Sequence, residues 1–221
     1  MTALYSGICT AGIIIALFGA AAVILGVPAR FLMWSVVGHC GLLLAGLGLA
    51  GKAKVAAGAE AAILYAASLL VAQSLAWLAW RQMRGAAKAW DFSPERGMGR
   101  RMPAPAWAFT IGAVGVAGLP PSPGFFARVM LFAAGIQAGG PAGYGAAIAC
   151  SLQSVAWLAV GIYAVVAVWL GPQPTRPLKP LARAAAIEFA ALAVVLAFLG
   201  LIPSPLLQVG SWLAYLLGAR A

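Results

Sequence analysis

Long apolar runs separated by short polar or basic stretches dominate the chain. A helix needs about 20 apolar residues to cross about 30 Å of hydrocarbon, and most of the runs reach or approach that length. Backbone amides in hydrocarbon must be hydrogen-bonded within their own segment, which favours helices. The pattern predicts an all-α, polytopic transmembrane helix bundle in a single membrane domain over 1–221. We expect about seven spans, at 6–27, 31–50, 58–80, 104–119, 124–138, 144–170 and 184–202, and an interfacial piece at 206–217.

The composition excludes a water-soluble enzyme. Charged residues make up 8% of the 221 residues and hydrophobic residues 64%, whereas a soluble domain carries about a quarter charged residues. The net charge of +10 comes mainly from Lys and Arg between the apolar runs, with six of them between Arg81 and Arg101. That distribution is typical of juxtamembrane anchors. We therefore predict lipids, not nucleic acid, as partners of these charges, since no aromatic stacking platform accompanies them.

The chain offers little material for catalysis or metal binding. Its three cysteines, Cys9, Cys40 and Cys150, lie inside apolar runs without a CxxC spacing, and His39 is the sole histidine. A Ser-His-Asp set, a glycine-rich phosphate loop and paired carboxylates are also absent from the sequence. We therefore expect no catalytic residues, no metal site and no cofactor.

One break in the apolar pattern is unusual because it is rich in proline. It lies inside a stretch that is otherwise apolar, and its residues are Gly118, Pro120, Pro121, Pro123 and Gly124. Such a break is tolerated at membrane depth where protein or a water-filled cavity receives the freed carbonyls, and interrupted helices often mark ion or substrate paths. A tight turn at the membrane surface is the alternative. In the first case the basic stretches at Arg30, 81–101 and 176–183 share one side of the membrane, and in the second the charge asymmetry nearly vanishes.

Ionisable side chains inside spans are candidates for function because burying each costs about 2.5 to 3.5 kcal/mol on insertion scales. Arg128 follows the break and has apolar neighbours on every helical face. It needs a buried carbonyl or acidic partner, such as Glu60 or Glu188, unless it snorkels from a helix end. His39 is either a proton relay or a hydrogen-bonded packing residue. For both glutamates an interfacial role competes with proton carriage.

Three stretches, in order, resemble the antiporter-like proton-pumping subunits of respiratory complex I and of multisubunit cation/proton antiporters. Residues 116–132, VAGLPPSPGFFARVMLF, resemble the S-L-A-G-I-P-P-T-A-G-F-x-x-K-F-x-L-F stretch of that family. Residues 29–41, ARFLMWSVVGHCG, resemble I-K-R-L-L-A-Y-S-S-I-A-H-M-G, and residues 97–103, GMGRRMP, resemble G-L-G-R-R-x-P. The histidine in the second stretch points to the subunit N (mitochondrial subunit 2) kind.

The resemblance covers the C-terminal half of the family's fourteen-helix fold, without the half that carries further Lys and Glu residues. It also differs at two charges. Arg128 stands where the family has its buried lysine, and Ala29 stands where the family has a lysine before Arg30. A guanidinium effectively cannot lose its proton, whereas a desolvated lysine can. A relay that needs deprotonation at this point is therefore expected to be blocked.

The resemblance implies a truncated or split antiporter-like subunit of a complex I-type NADH:quinone oxidoreductase, or of a related energy-converting complex. Other membrane subunits would be its partners, in the mitochondrial inner membrane or the bacterial cytoplasmic membrane. Arg128 would be a fixed positive charge in the polar proton-translocation axis, which would also include Arg30, His39, Glu60 and Glu188. A second hypothesis has His39 and buried water pass protons past Arg128, and a third is a stand-alone secondary transporter or antiporter component.

Overall fold

The computed structural model describes residues 2–25, 30–87, 97–170 and 182–219, and these ranges form a bundle of helices. A π-helical segment, Leu69–Gln73, joins the third helix to the fourth, and a 3₁₀ turn, Met98–Arg100, precedes the fifth. The helices are α1 (Thr2–Leu25), α2 (Phe31–Ala53), α3 (Ala56–Ser68), α4 (Ser74–Ala87), α5 (Pro103–Ala117), α6 (Pro123–Ala138), α7 (Gly140–Leu170), α8 (Arg183–Leu201) and α9 (Ser204–Leu216).

The predicted membrane helix bundle is confirmed. Five helices, counting 56–85 as one, are long and apolar enough to cross a membrane, and α5 and α6 are shorter apolar helices. The outward side chains of the bundle are largely apolar, including Phe18, Leu70, Val155 and Ile187, each more than half exposed. A contiguous apolar exterior of this kind is typical of a surface that faces lipid. The chain is therefore an integral membrane protein.

Helices α1 and α2 pack at unusually close range because glycine lies at their contact. A Cβ added at Gly12 would meet the Gly41 carbonyl at 2.6 Å, and one added at Gly19 would meet the Gly38 backbone at 2.8 Å. Small residues at helix contacts let backbones approach closely, which is how membrane helices gain packing energy without a hydrophobic driving force. The pair therefore forms one tightly packed side of the bundle.

The third predicted span is longer than expected and is not a regular α-helix. The helix continues beyond residue 80 to Ala87, because Met83 is buried and the Arg84 guanidinium stacks 4.5 Å from the Trp80 ring. The polar side chains of this last turn thus belong to an amphipathic helix end rather than to a loop. The π-helical segment near its middle was not predicted from the sequence.

Helices α5 and α6 form one interrupted crossing that runs antiparallel to α7. The Trp169 indole donates to the Thr110 hydroxyl, Ala117 lies 3.8 Å from the Cβ position of Gly161, and Gly135 packs on Gly143. As residue numbers rise along α5 and α6, the numbers of the residues that they contact in α7 therefore fall. The 31 residues of α7 span about 46 Å, and the break lies well inside that length. Of the two interpretations of the proline stretch, this arrangement favours an interruption within a single crossing.

Helices α8 and α9 also follow one path across the bundle. The Leu196 side chain packs at the Cβ position of Gly115, and Gly200 packs on the Pro121 backbone beside the proline break. Further along, Gly210 packs on Glu60, and the Lys54 ammonium donates to the Leu217 carbonyl at 2.7 Å. Helix α9, expected to be an interfacial piece, instead continues the path of α8 and packs along α3.

These directions bring most of the described basic residues to one end of the bundle. They lie at the start of α2, the end of α4, just before α5 and at the start of α8, and they are Arg30, Arg81, Arg84, Arg100, Arg101 and Arg183. Lys52 and Lys54 lie at the opposite end. The described part of the chain therefore has the charge asymmetry expected for an interruption inside one crossing.

Candidate functional site

The proline break is built from two well-formed helix ends. Gly118 adopts φ 68° and ends α5 in a Schellman motif, in which its N–H donates to the Gly115 carbonyl and the Leu119 N–H donates to the Val114 carbonyl, both at 3.1 Å. Ser122 is the N-cap residue of α6, and its hydroxyl accepts from the Phe125 N–H at 3.3 Å. The last-turn carbonyl of Val116 is left available for a side chain.

Arg128 joins the two helices across this break. Its guanidinium donates to the Gly124 carbonyl in α6 at 3.2 Å and to the Val116 carbonyl in α5 at 3.1 Å, while the side chain is only 7% exposed. A Cβ added at Gly118 would overlap the guanidinium. The C-terminus of a helix carries about half a negative charge, so the end of α5 is a favourable site for a cation.

The expected partner of Arg128 is thus a pair of backbone carbonyls. Neither Glu60 nor Glu188 reaches it: Glu60 is half-buried and accepts from the Ser211 hydroxyl at 3.0 Å, and Glu188 is exposed on α8. Arg30 is exposed before the first turn of α2. The depth of the guanidinium also rules out the snorkelling alternative. Of the predicted site residues, the structure brings only His39 and the break residues to Arg128.

His39 lies on α2 with its ring enclosed by two aromatic side chains. Trp157 stacks on it with ring centroids 6.3 Å apart, and Tyr65 meets its edge at 5.8 Å. Its Nδ1 lies 2.8 Å from the Ser35 carbonyl, which can only accept, so the Nδ1 carries a proton. Its Nε2 is buried and forms no hydrogen bond of good geometry with the described residues, although the Val116 carbonyl, which also accepts from Arg128, is close enough to interact with the ring. The imidazole is near enough to Arg128 to interact with it electrostatically.

Further polar side chains surround this pair and were missed by the sequence reasoning. The Ser35 hydroxyl donates to the Gln73 Oε1 at 3.0 Å, the Tyr65 hydroxyl lies 3.5 Å from the Cys150 Sγ, and that Sγ lies 3.7 Å from the Arg128 carbonyl. We call the buried set the polar core; its members are Ser35, His39, Tyr65, Ser68, Gln73, Arg128, Cys150 and Gln153. The sequence offered one signal for the polar core, the amide side chains of Gln73 and Gln153 inside apolar runs.

Both irregular helices supply the polar core at the point where each departs from α-helical geometry. Tyr65, Ser68 and Gln73 belong to the turns next to or within the π-helical segment, and such segments occur often at functional sites. Ser68 lies across from the first turn of α6, its hydroxyl 2.9 Å from the Cβ position of Gly124. The π-helical segment and the proline break therefore face the same interior region.

Cation ligands are scarce in this region. Among the residues that the structure describes, no group of three or more His, Cys, Asp or Glu side chains has a geometry that could hold a metal ion. The polar core combines one permanent positive charge with neutral hydrogen-bonding groups. Such an arrangement suits electrostatic control of a mobile charge more than covalent chemistry.

Comparison with known proteins agrees with this architecture. The family model for NADH:quinone oxidoreductase/Mrp antiporter, TM, matches residues 3–154. NADH-quinone oxidoreductase subunit N of Granulibacter bethesdensis is 26% identical over 179 residues, which cover 80% of this chain and 37% of that protein. The chain thus spans well under half of the length of this relative.

Solved structures share the fold. The membrane-bound sulfane sulfur reductase, an archaeal respiratory membrane complex, contains a chain that superposes with a TM-score of 0.83 at 17% identity, covering 98% of this chain and 43% of that one. A chain of the Mrp complex from Dietzia sp. DQ12-45-1b gives a TM-score of 0.70 at 22% identity, covering 98% and 46%. On the family match, the chain belongs to the NADH:quinone oxidoreductase/Mrp antiporter transmembrane family.

Proposed function

We propose that the chain is the part of an antiporter-like membrane-arm subunit that carries the interrupted helix, in a complex I-type NADH:quinone oxidoreductase or a related energy-converting complex. It would lie in an energy-coupling membrane with other membrane subunits as partners. The family match and the name of the Granulibacter relative support this proposal. The region that this relative has and this chain lacks would be supplied by further sequence or by another subunit.

The observation that carries the proposal is the buried guanidinium at the break. Arg128 is held by carbonyls of both helices and faces no carboxylate in the described part of the chain, so its charge acts on whatever else enters the polar core. Because the guanidinium keeps its proton at any physiological pH, Arg128 would serve as a fixed positive charge in the proton-translocation axis. It would set the energy of a passing proton without carrying one.

His39 is the second candidate, as a group that carries protons past Arg128. The Nε2 favours this role, because Nδ1 holds the proton of the neutral ring and Nε2, which forms no hydrogen bond of good geometry, has a lone pair that can accept another. An imidazole also changes charge more easily than any other side chain of the polar core.

Proton pumping by the reconstituted assembly tests both roles. We expect Arg128→Lys to retain much of the pumping, because a positive charge remains, and Arg128→Gln to lose most of it. Arg183→Gln, which removes an exposed charge at the start of α8, is the matched control and should pump normally. Wild-type pumping by Arg128→Gln would overturn the fixed-charge role. Unchanged pumping by His39→Ala would remove His39 from the path.

The composition of the native assembly tests the first part of the proposal. Purification in mild detergent is expected to recover the chain with quinone-reductase or hydrogenase-like subunits. A stand-alone secondary transporter or antiporter component would instead be stable and active as a purified single chain. Ion transport by that single chain in vesicles would therefore favour the alternative.

A further inference from the structure

Gln153, on α7, is the most conspicuous buried polar side chain outside the proposed roles. It has no solvent exposure, and neither its amide oxygen nor its amide nitrogen has a hydrogen-bonding partner in the described part of the chain. Leaving a buried polar group unpaired costs about 1–3 kcal/mol. An amide with both ends unpaired therefore calls for a ligand that can satisfy it.

Two further unpaired polar atoms lie beside it. The indole Nε1 of Trp157, one helical turn along α7, has no partner, and neither does the Nε2 of His39. Gln153 and Trp157 both pack against Gly38, where an added Cβ would collide with the amide nitrogen and approach the indole ring at 2.6 Å. The imidazole of the next residue, His39, stacks on the same indole. Glycine at position 38 thus lets the Gln153 amide and the Trp157 indole pack against α2, next to the His39 ring.

The hydrogen-bonding types of these groups identify the ligand. The Trp157 indole can only donate, the His39 Nε2 accepts because Nδ1 holds the proton, and the Gln153 amide does both. An anion would leave the acceptors unpaired, and a metal cation would leave the donors unpaired and meet the charge of Arg128. Water donates and accepts, and a buried water typically makes about three hydrogen bonds.

We propose that Gln153, Trp157 and His39 bind internal water, and that Gln153 is a positioning residue that holds this water against the His39 Nε2. The amide does not titrate, so it directs the water without competing for its proton. The water gives the otherwise enclosed Nε2 a route by which a proton arrives or departs. The second step deepens the proposed function, whereas the water site itself stands on the geometry of these three side chains.

Solid-state NMR of the ¹⁵N-labelled protein in lipid bilayers measures the site directly. Magnetisation transferred from water should appear at the indole N–H of Trp157, whose signal is assigned by its disappearance in Trp157→Phe. We expect Gln153→Leu to abolish the transfer by removing both amide contacts. Gln208→Leu is the matched control, because Gln208 is exposed on α9, and it should leave the transfer unchanged.

Absence of transfer in the wild-type protein would overturn the water site, and this result does not depend on the folding of any variant. Transfer that persists in Gln153→Leu would overturn the positioning role of Gln153. Proton pumping by the reconstituted assembly is the separate readout for the proposed function. If transfer to Trp157 is present and the wild-type assembly does not pump, the water site stands and the proposed function fails.

Discussion

Two helical paths of this bundle are interrupted at proline, and the two breaks differ in what meets their helix ends. Between α5 and α6, Pro120 and Pro121 are exposed but the helix ends at Gly118 and Ser122 are buried, and the Val116 carbonyl is bonded to Arg128; we call this the buried break. Between α8 and α9, Leu201 and Ile202 are 67% and 46% exposed. The two breaks touch each other, since a Cβ at Gly200 would meet the Pro121 carbonyl at 2.5 Å.

The difference shows that a proline break becomes a candidate functional site only where other groups bind its free backbone carbonyls and amides. At the second break the Ile202 N–H donates to Phe198 and the Pro203 carbonyl accepts from Leu207, so local helix bonds use these groups. At the first break a last-turn carbonyl points inward and a charged side chain bonds to it. The buried break therefore creates a site for charge, while the backbone groups of the exposed break stay in local helix bonds.

The largest expected effect concerns the claim that both breaks lie within single crossings. In a background that lacks Cys9, Cys40 and Cys150, single cysteines at four exposed positions would be labelled in sealed vesicles with a membrane-impermeant maleimide. We expect Arg100→Cys and Arg183→Cys to react from one side, and Gln137→Cys and Leu216→Cys only from the other. In a bacterial cytoplasmic membrane, the positive-inside rule would place the arginine side in the cytoplasm.

Lys52→Cys calibrates this labelling, because Lys52 lies at the end of the bundle where α6 and α9 end. It should react together with Gln137→Cys. If Arg100→Cys and Gln137→Cys reacted from the same side, α5 and α6 would be two short spans joined by a surface turn. The comparison of two interrupted crossings would then be broken.

A smaller effect is expected from alanine at the glycine that ends α5. Gly118→Ala and Gly218→Ala both place a side chain at a positive φ, 68° and 66°, at helix ends with the same pair of hydrogen bonds, which costs about 1–2 kcal/mol. Only the alanine at 118 would also collide with Arg128, since the Cβ position of Gly218 meets only the flexible Lys54 ammonium, at 3.4 Å. Each lost hydrogen bond to the guanidinium adds about 1.5–3 kcal/mol.

Thermal unfolding in detergent should therefore show a clearly lower midpoint for Gly118→Ala than for Gly218→Ala, with the wild type above both. Equal midpoints would mean that displacing the guanidinium from the break costs no stability. Arg128 would then not hold the two helices together, and the contrast between the buried and the exposed break would lose its energetic basis.

The fold was predictable from the sequence where long apolar runs dominated. Apolar runs of membrane-spanning length placed the long helices, and the prolines located the break. The runs did not show that α9 continues α8, because 13 residues are too few for a span and only packing on α3 reveals the path. The π-helical segment has no proline or glycine to mark it, and its sequence LLVAQ reads as ordinary helix.

The site was predictable in part, for a similar reason. Arg128 and His39 were found because a charge or an imidazole inside an apolar run is rare and costly. The carbonyl partners of Arg128 were only one of several options, because which backbone groups a break frees depends on the geometry of the helix ends. Gln73 and Gln153 were not predicted as site residues because their side-chain amides carry no charge, although both side chains are buried.

The smallest effect is expected at the exposed break. Pro203 adopts φ −73°, a value that alanine also adopts without strain. Pro203→Ala should lower stability by about 0.4–1 kcal/mol, because alanine mainly increases the freedom of the unfolded chain. Proton pumping by the reconstituted assembly should stay at the wild-type level. A large loss of pumping with normal thermal unfolding would show that the exposed break also acts on the polar core, through the contact of Gly200 with Pro121.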